Sequence, residues 1–455
     1  MREAVGEQMD NVRYAAEPER VLLRLRRAGR LCCLSGHGKR GDLRGVTPRH
    51  RPDQLWYQMN RLTTDHGPLD LARYPEDPRE QLRAWDAADE YLLRHLAGTA
   101  ALPGAEPAAP VDLSGTVAVV GDRWGALATA LAVQRPAQPP VQISDSYLAQ
   151  QATLRNLDRN GLAPEAVRQL TTRDAPPERI DVLVVRVPKS LALLEDQLHR
   201  LAPALHAGTA VVGAGMVTEV HTSTLQTFER LVGPVRTSLA VRKARLIHCL
   251  PDPELVRPAN PWPYRYDLPA DTGPLAGRTV TNHAGVFCAD HLDIGTRFLL
   301  RNLPQRHGFR RIVDLGCGNG VVGTAAALAA PGAELLFVDE SHQAVASARE
   351  TFTANAGPDA VAAASFRVGD GTVGIPAGSV DLVLNNPPFH TYHASTDSTA
   401  WRMFSGAHVA LRPGGELWVV GNRHLGYHVK LRRIFGNSEV VASDPKFVVL
   451  RAVRN

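Results

Sequence analysis

Two tandem α/β domains, each built on a doubly wound parallel sheet, are what this sequence predicts, and three observations carry that prediction. Strand, glycine turn and helix occur in that order twice. The first set is Val117-Ala118-Val119-Val120 with Gly121-Asp122-Arg123-Trp124-Gly125; the second is Arg311-Ile312-Val313-Asp314-Leu315 with Gly316-Cys317-Gly318-Asn319-Gly320. An acidic residue follows each turn at nearly the same distance, Asp145 24 residues after Gly121 and Asp339 23 residues after Gly316. Finally, Asp181 to Lys189 lines up without a gap against Asp381 to Phe389. Short apolar, β-branched runs of this kind are buried parallel strands, and recurrence of the whole order marks a duplicated domain.

The bulk numbers agree with two domains. A chain of 455 residues exceeds one ordinary core, and 44% hydrophobic with 21% charged residues is the composition of a soluble globular protein. No apolar run is long enough to span a membrane and the N-terminus lacks an apolar stretch free of arginine, so no membrane association and a cytoplasmic location are expected. Five scattered cysteines without CxxC spacing encode neither a disulfide framework nor a zinc site. His390 and His393 lie close together, but without cysteine or carboxylate company no metal is expected. The net charge of +5 resides wholly in residues 1–58, with twelve Arg or Lys against seven Asp or Glu; the remainder balances at 39 against 39. Any nucleic-acid footprint must therefore be a local patch.

Residues 1–58 show no sustained period and are expected to form a poorly ordered extension; Met59 follows them directly and offers an alternative start. The first domain is assigned to residues 59–250. It opens on a helical pattern running from Leu82 through Trp85, Tyr91, Leu92 and Leu93. A spacer rich in Gly, Ala and Pro occupies 97–110, and the first glycine turn leads into a helix from Ala126 to Val133. The Pro-rich stretch 251–277 reads as a linker, and the second domain fills 278–455 with a helix from Val321 to Ala329 after its turn.

Chemistry concentrates in the second copy. Asp314-x-Gly316-x-Gly318-x-Gly320 at a strand-to-helix turn lets the backbone approach a ligand, because residues without side chains leave room for it. Asp339, ending the next strand, is placed to accept the two hydroxyls of a ribose, and Asp370 after the third strand suits an adenine amino group. A nicotinamide cofactor would fit these residues equally. The fourth strand breaks the tie, because it ends in Asn385-Asn386-Pro387-Pro388-Phe389-His390, which has no role in hydride transfer. The lone pair of an exocyclic base nitrogen is delocalised into its ring. Two acceptors, the Asn386 side-chain oxygen and the Pro387 carbonyl, would each take one N–H and free that lone pair to attack an electrophilic methyl. The prolines stiffen the turn, and Phe389 offers a face for the base, worth about 1–3 kcal/mol in stacking. Positioning supplies the rate, with no strong base required. An Asn before Pro also caps turns on its own, and that reading weakens only beside the glycine turn and Asp339. Cys317 is taken as a filler of the turn.

The first copy keeps the order of parts without this chemistry. Arg123 stands where the second copy has Gly318, Arg186 where it has Asn386, and Lys189 where it has Phe389. These three side chains, with Arg423 late in the second copy, are the candidates for gripping an RNA backbone; the alternative is a scaffold that only stabilises the second domain.

These residues resemble a known family. From Gly285-Val286-Phe287 and Leu292-Asp293-Ile294-Gly295-Thr296, through Asn386-Pro387-Pro388-Phe389-His390, to Gly421-Asn422-Arg423-His424, the second copy resembles the ribosomal RNA guanine-N2 methyltransferases. The first copy, in Val187 to Glu195, Thr237 to Ala240 and Lys243 to Leu246, is similar to the large-subunit (23S rRNA) type more than to the small-subunit (16S rRNA) type. The resemblance covers roughly residues 59–455. It implies two class I methyltransferase-like (Rossmann-like) domains, the first degenerate and the second catalytic, acting on ribosomal RNA as a monomer. It implies S-adenosylmethionine bound by Asp314, Gly316, Gly318, Gly320, Asp339 and Asp370, covered by Gly285 to Phe287, and the target amine held by Asn386, Pro387 and Phe389. Two alternatives stay open. A protein-glutamine methyltransferase poses the same chemical problem but typically carries tyrosine where Phe389 stands. An RNA-binding protein that merely retains the fold would not bind S-adenosylmethionine.

Overall fold

The computed structural model describes residues 60–77, 80–100, 109–135, 137–304, 308–388 and 393–455, with backbone alone at 393–397. The extension over 1–58 and Phe389 lie outside the described residues. The described residues all belong to one unit, Pro52–Asn455.

Two sheets of seven strands form the frame. In the first, β1 (Val117–Val120), β2 (Val141–Ser144), β3 (Arg168–Thr171), β4 (Ile180–Arg186), β5 (Leu205–Met216), β6 (Val235–Thr237) and β7 (Ala244–Cys249) lie in the order β3-β2-β1-β4-β5-β7-β6. In the second, β8 (Arg311–Leu315), β9 (Glu334–Asp339), β10 (Ala364–Val368), β11 (Val380–Asn385), β12 (Leu411–Asn422), β13 (Glu439–Ser443) and β14 (Phe447–Val453) repeat it as β10-β9-β8-β11-β12-β14-β13. Five neighbouring strands of each sheet run parallel, and the last long strand, β7 or β14, returns antiparallel. The order reverses between β1 and β4, and between β8 and β11, which opens a crevice at the carboxyl ends of those strands. β1 and β4 are buried on both faces, as apolar runs in parallel sheets must be. The helices that follow the glycine turns, Ala126–Gln134 and Val321–Ala329, are buried over seven consecutive residues because Ala, Leu and Val surround their axes.

Register makes the duplication exact to the residue. Val120 pairs with Ile143 and Val185, while Leu315 pairs with Val338 and Asn385. The gap-free alignment of β4 with β11 therefore holds, and Arg186 occupies the place of Asn386. The same register moves the acidic residue: Ser144 is the equivalent of Asp339, and Asp145 corresponds to Glu340. Spacing counted from the turns misses this by one residue, because the loops into the two second strands differ in length by one.

Duplication also extends upstream of the sheets. A hairpin, Arg61–Thr64 with Gly67–Asp70, docks on the helix Tyr147–Arg159, where Ala72 N–H donates to Asn156 Oδ1 at 2.9 Å and Asn160 Nδ2 to the Asp70 carbonyl at 2.8 Å. A second, Tyr264–Asp267 with Thr279–Asn282, docks likewise on the helix His342–Asn355, through Thr281 N–H to Thr351 Oγ1 at 3.1 Å and Asn355 Nδ2 to the Thr279 carbonyl at 2.8 Å. The Pro-rich stretch 251–277 thus holds a strand of the second body, concealed by the prolines around it. The helical pattern read from Leu82 starts later than its apolar spacing suggested, at Ala87, because Asp86 caps it and accepts from Ala88 N–H at 2.8 Å.

The two halves meet about a local two-fold relation at the very residues that follow β2 and β9. Tyr147 N–H donates to the Glu340 carbonyl at 2.8 Å and His342 N–H to the Asp145 carbonyl at 2.9 Å. Ser146 Oγ donates to Glu340 Oε2 at 2.5 Å, and Ser341 Oγ to Asp145 Oδ2 at 2.6 Å. Among the described residues no helix is long and apolar enough to cross a membrane.

Candidate active site

At the crevice between β8 and β11 lies a cavity of about 970 Å³, at the upper end of ligand-sized pockets. Asp314, Gly316, Gly318, Asp339, Asp370, Gly285, Phe287, Asn386, Pro387 and Lys189 all line it. Sequence-distant candidates are thereby brought into one space, and the first half contributes Pro75, Leu148 and Lys189 to its wall.

The glycine turn divides into two roles. A Cβ at Gly318 would meet nothing within 4 Å, so the turn faces open cavity there. At Gly320, where φ is +77°, a Cβ would stand 2.7 Å from the Ala348 Cα. Gly320 thus packs the helix Val321–Ala329 against His342–Asn355 and does not line the cavity, which corrects its assignment to the cofactor. Gly125 does the same in the first half, where a Cβ would meet the Thr153 Cα at 2.5 Å. Cys317 packs into the core of the second sheet, and burial holds its thiol protonated.

Carboxylates surround the turn. Asp314 Oδ2 accepts from Gly323 N–H at 2.8 Å, and burial pushes its pKa up to about 8. The first half caps the equivalent amide from a different position, Asp122 in the turn, whose Oδ2 accepts from Ala128 N–H at 2.8 Å. Asp339 accepts from Gly318 N–H through Oδ2 and from Ser341 N–H through Oδ1, both at 3.0 Å. Burial raises its pKa against these bonds, which favour the charged form. Each oxygen keeps a second lone pair for a ligand hydroxyl. Asp370 is ion-paired with Arg402 on the cavity wall.

Asn386 is held from behind. Its Nδ2 donates to Thr296 Oγ1 at 2.9 Å and approaches Asp293 Oδ2 at 3.5 Å, whereas its Oδ1 is buried without a hydrogen-bond partner among the described residues. A buried amide oxygen left unpaired costs roughly 1–3 kcal/mol unless something arrives to bond it. Asn385, fully buried beside it, ties β11 to β8 by donating to the Leu315 carbonyl at 2.6 Å. Asp293 and Thr296 were missed as site residues in the sequence. They stand some ninety residues before Asn386, and only their place in a capped helix start, Asp293 accepting from Thr296 N–H at 2.7 Å, hinted at a fixed geometry.

Comparison with known proteins accounts for this assembly. Residues 59–253 match the model of the RLMG N-terminal domain and residues 277–451 that of the methyltransferase small domain. The chain is 70% identical over 393 residues to the ribosomal RNA large subunit methyltransferase G of Streptomyces avermitilis, covering 86% of this chain and 99% of the relative. It belongs to the ribosomal RNA large subunit methyltransferase G family. A more distant relative of that name, from Aeromonas salmonicida, is 46% identical, again over 86% of this chain and 99% of its own. Among solved structures, the 16S rRNA N2 methyltransferase of T. thermophilus, in complex with AdoMet and guanosine, matches with a TM-score of 0.65 at 21% identity, over 88% of this chain and 99% of that one. That likeness shows the paired fold.

Within this methyltransferase family architecture, the basic residues of the degenerate half behave differently from their reading in the sequence. Arg186 is 0% exposed. Its guanidinium lies 2.6 Å from Asp86, 2.9 Å from Glu219 and 3.2 Å from Asp89. Burial alone would lower its pKa; the Asp89, Asp86 and Glu219 carboxylates outweigh it and hold the group charged. Arg186 cannot grip an RNA phosphate, because it is spent on three carboxylates inside the protein. Arg123 joins the same network, 2.7 Å from Glu219 and 3.5 Å from Asp86, away from the cavity lining. Burial of Glu219 is likewise overcome by Arg186 and Arg123, and its pKa falls to about 2. Lys189 differs, standing exposed on the cavity wall. Arg423 is exposed and donates to the Asp444 carbonyl at 3.2 Å.

Proposed function

We infer that this chain transfers the methyl group of S-adenosylmethionine to the exocyclic N2 of one guanine in ribosomal RNA, that of the large subunit. The observation that carries it is the unpartnered, buried Asn386 Oδ1 facing the same cavity as Gly318 and Asp339. Family membership supports the large-subunit RNA as substrate.

The cavity fits the cofactor by donor set and space. The open face at Gly318 admits a nucleoside against bare backbone, and the free lone pairs of Asp339 accept its ribose hydroxyls. When bound, S-adenosylmethionine supplies a methyl carbon on a positively charged sulfur. Asn386 Oδ1 and the Pro387 carbonyl each accept one N–H of the target amine, which withdraws its lone pair from the guanine ring and aims it into the cavity. The rigid Pro387-Pro388 turn keeps both acceptors in place as the nitrogen moves. Phe389 is the proposed stacking face, and Lys189 and Arg423 are proposed phosphate contacts.

Deleting the gene and mapping N2-methylguanosine in both ribosomal RNAs tests this reading. One large-subunit guanine is expected to lose its methyl group. Loss in the small-subunit RNA instead would move the substrate, and no loss in either would defeat the proposal.

A further inference from the structure

We propose that Thr296, anchored by Asp293, is a positioning residue that fixes the side-chain amide of Asn386 with its oxygen toward the target amine. The proposal rests on Asn386 being the amine acceptor. A carboxamide is nearly symmetric in shape, and a half-turn exchanges its oxygen with its NH2 at little steric cost. Only one of the two orientations is productive here, because the target amine is a donor and an NH2 turned toward it would oppose donor to donor.

The groups behind the amide decide the orientation. The Asp293 carboxylate only accepts, taking the Thr296 N–H into Oδ2 at 2.7 Å and the Thr296 Oγ1 hydroxyl at 3.2 Å. With its proton committed to Asp293, Thr296 Oγ1 turns a lone pair toward Asn386 and receives Nδ2 at 2.9 Å. The second acceptor in reach of Nδ2 is Asp293 Oδ2 itself, at 3.5 Å. A flipped amide would set its oxygen against that carboxylate oxygen and against the lone pair of Thr296. The polarity of the relay runs one way, from the target amine through Asn386 and Thr296 to Asp293.

Thr296 is suited to this by its location. It sits in the first turn of the helix Ile294–Leu300, where Asp293 is the cap, so backbone geometry fixes the hydroxyl. Thr296→Val keeps the shape and the capped N–H and removes the hydroxyl alone.

The test uses the full chain, radiolabelled S-adenosylmethionine and a large-subunit RNA transcript. Thr296→Val is expected to lower kcat roughly tenfold with S-adenosylmethionine affinity held within about twofold, and Thr296→Ser to restore kcat. Asn386→Ala serves as the reference. If Thr296→Val keeps full kcat while Asn386→Ala loses it, the relay is overturned and the acceptor role of Asn386 stands. Failure of serine to restore kcat, or a parallel fall in cofactor affinity, would show a structural role only and overturn the proposal as well. If Asn386→Ala keeps full kcat, the acceptor reading falls and the relay with it.

Discussion

Replacing Asn386 by alanine removes the one buried side-chain oxygen in the cavity wall that the fold leaves unpaired beside Pro387. Loss of a single prepositioned polar group lowers turnover about a hundredfold or more, so Asn386→Ala should do so in a methyl-transfer assay. Cofactor affinity should hold, since the amide faces the target; a calorimetric titration showing lost affinity would contradict the assignment. Residue types in short motifs were readable without coordinates, because Asn-Pro-Pro and Asp-x-Gly-x-Gly constrain the backbone locally. Partners across the fold were not. The hold of Thr296 on Asn386 is made by a helix start ninety residues away, and Arg186 read as a surface cation because nothing near it in sequence announces Asp86, Asp89 or Glu219.

At the scale of elements, the two glycines of the turn should separate by experiment. Gly320→Ala forces a side chain against the backbone of the helix His342–Asn355 at positive φ and is expected to cost about 1–3 kcal/mol, seen as a lowered melting temperature. Gly318→Ala enters open space, so it should fold and lose cofactor affinity instead. Equal melting losses would refute the division. In the first half, β4 carries Arg186 into a carboxylate cluster that joins it to the helix Ala87–Leu96 and to Glu219 beyond β5. Arg186→Met leaves those carboxylates buried without their cation, at a cost of about 3–5 kcal/mol, a large part of a domain's stability. A variant melting like the parent would show the network to be dispensable. The place that binds substrate in one copy is thus used for internal cohesion in the other. Strand order and helix positions followed from apolar patterning, whereas the hairpin strand Tyr264–Asp267 was masked by its prolines and the start of the helix Ala87–Leu96 by the cap at Asp86.

Across the whole molecule, the duplication explains how the halves are joined. The segments after β2 and β9 are equivalent, and each supplies a serine hydroxyl to the other's carboxylate, Ser146 to Glu340 and Ser341 to Asp145. The catalytic half ends β9 in Asp339, facing the cavity, and places Glu340 at the junction; the degenerate half has Ser144 and Asp145 at the same two positions. One residue points to the ligand and the next to the partner half, which is why distances along the sequence alone set Asp145 against the wrong residue. Junction carboxylates removed from water titrate abnormally. Burial pushes the Glu340 pKa up to about 7, with Asp339 and Asp145 raising it further and the Ser146 hydroxyl opposing. Burial likewise raises that of Asp145, against the hydroxyl and backbone donors around it. An acid whose pKa is higher folded than unfolded binds its proton more tightly in the native state. Its contribution is therefore intact below the unfolded value near 4.5 and is lost as pH rises toward about 7. Glu340→Gln keeps a hydrogen-bond acceptor for Ser146 and removes the titration. The melting temperature of this variant relative to the parent should rise between pH 5 and pH 8, with most of the change below about pH 7. A constant difference over that range would show that Glu340 does not carry a buried, pH-dependent cost at the junction.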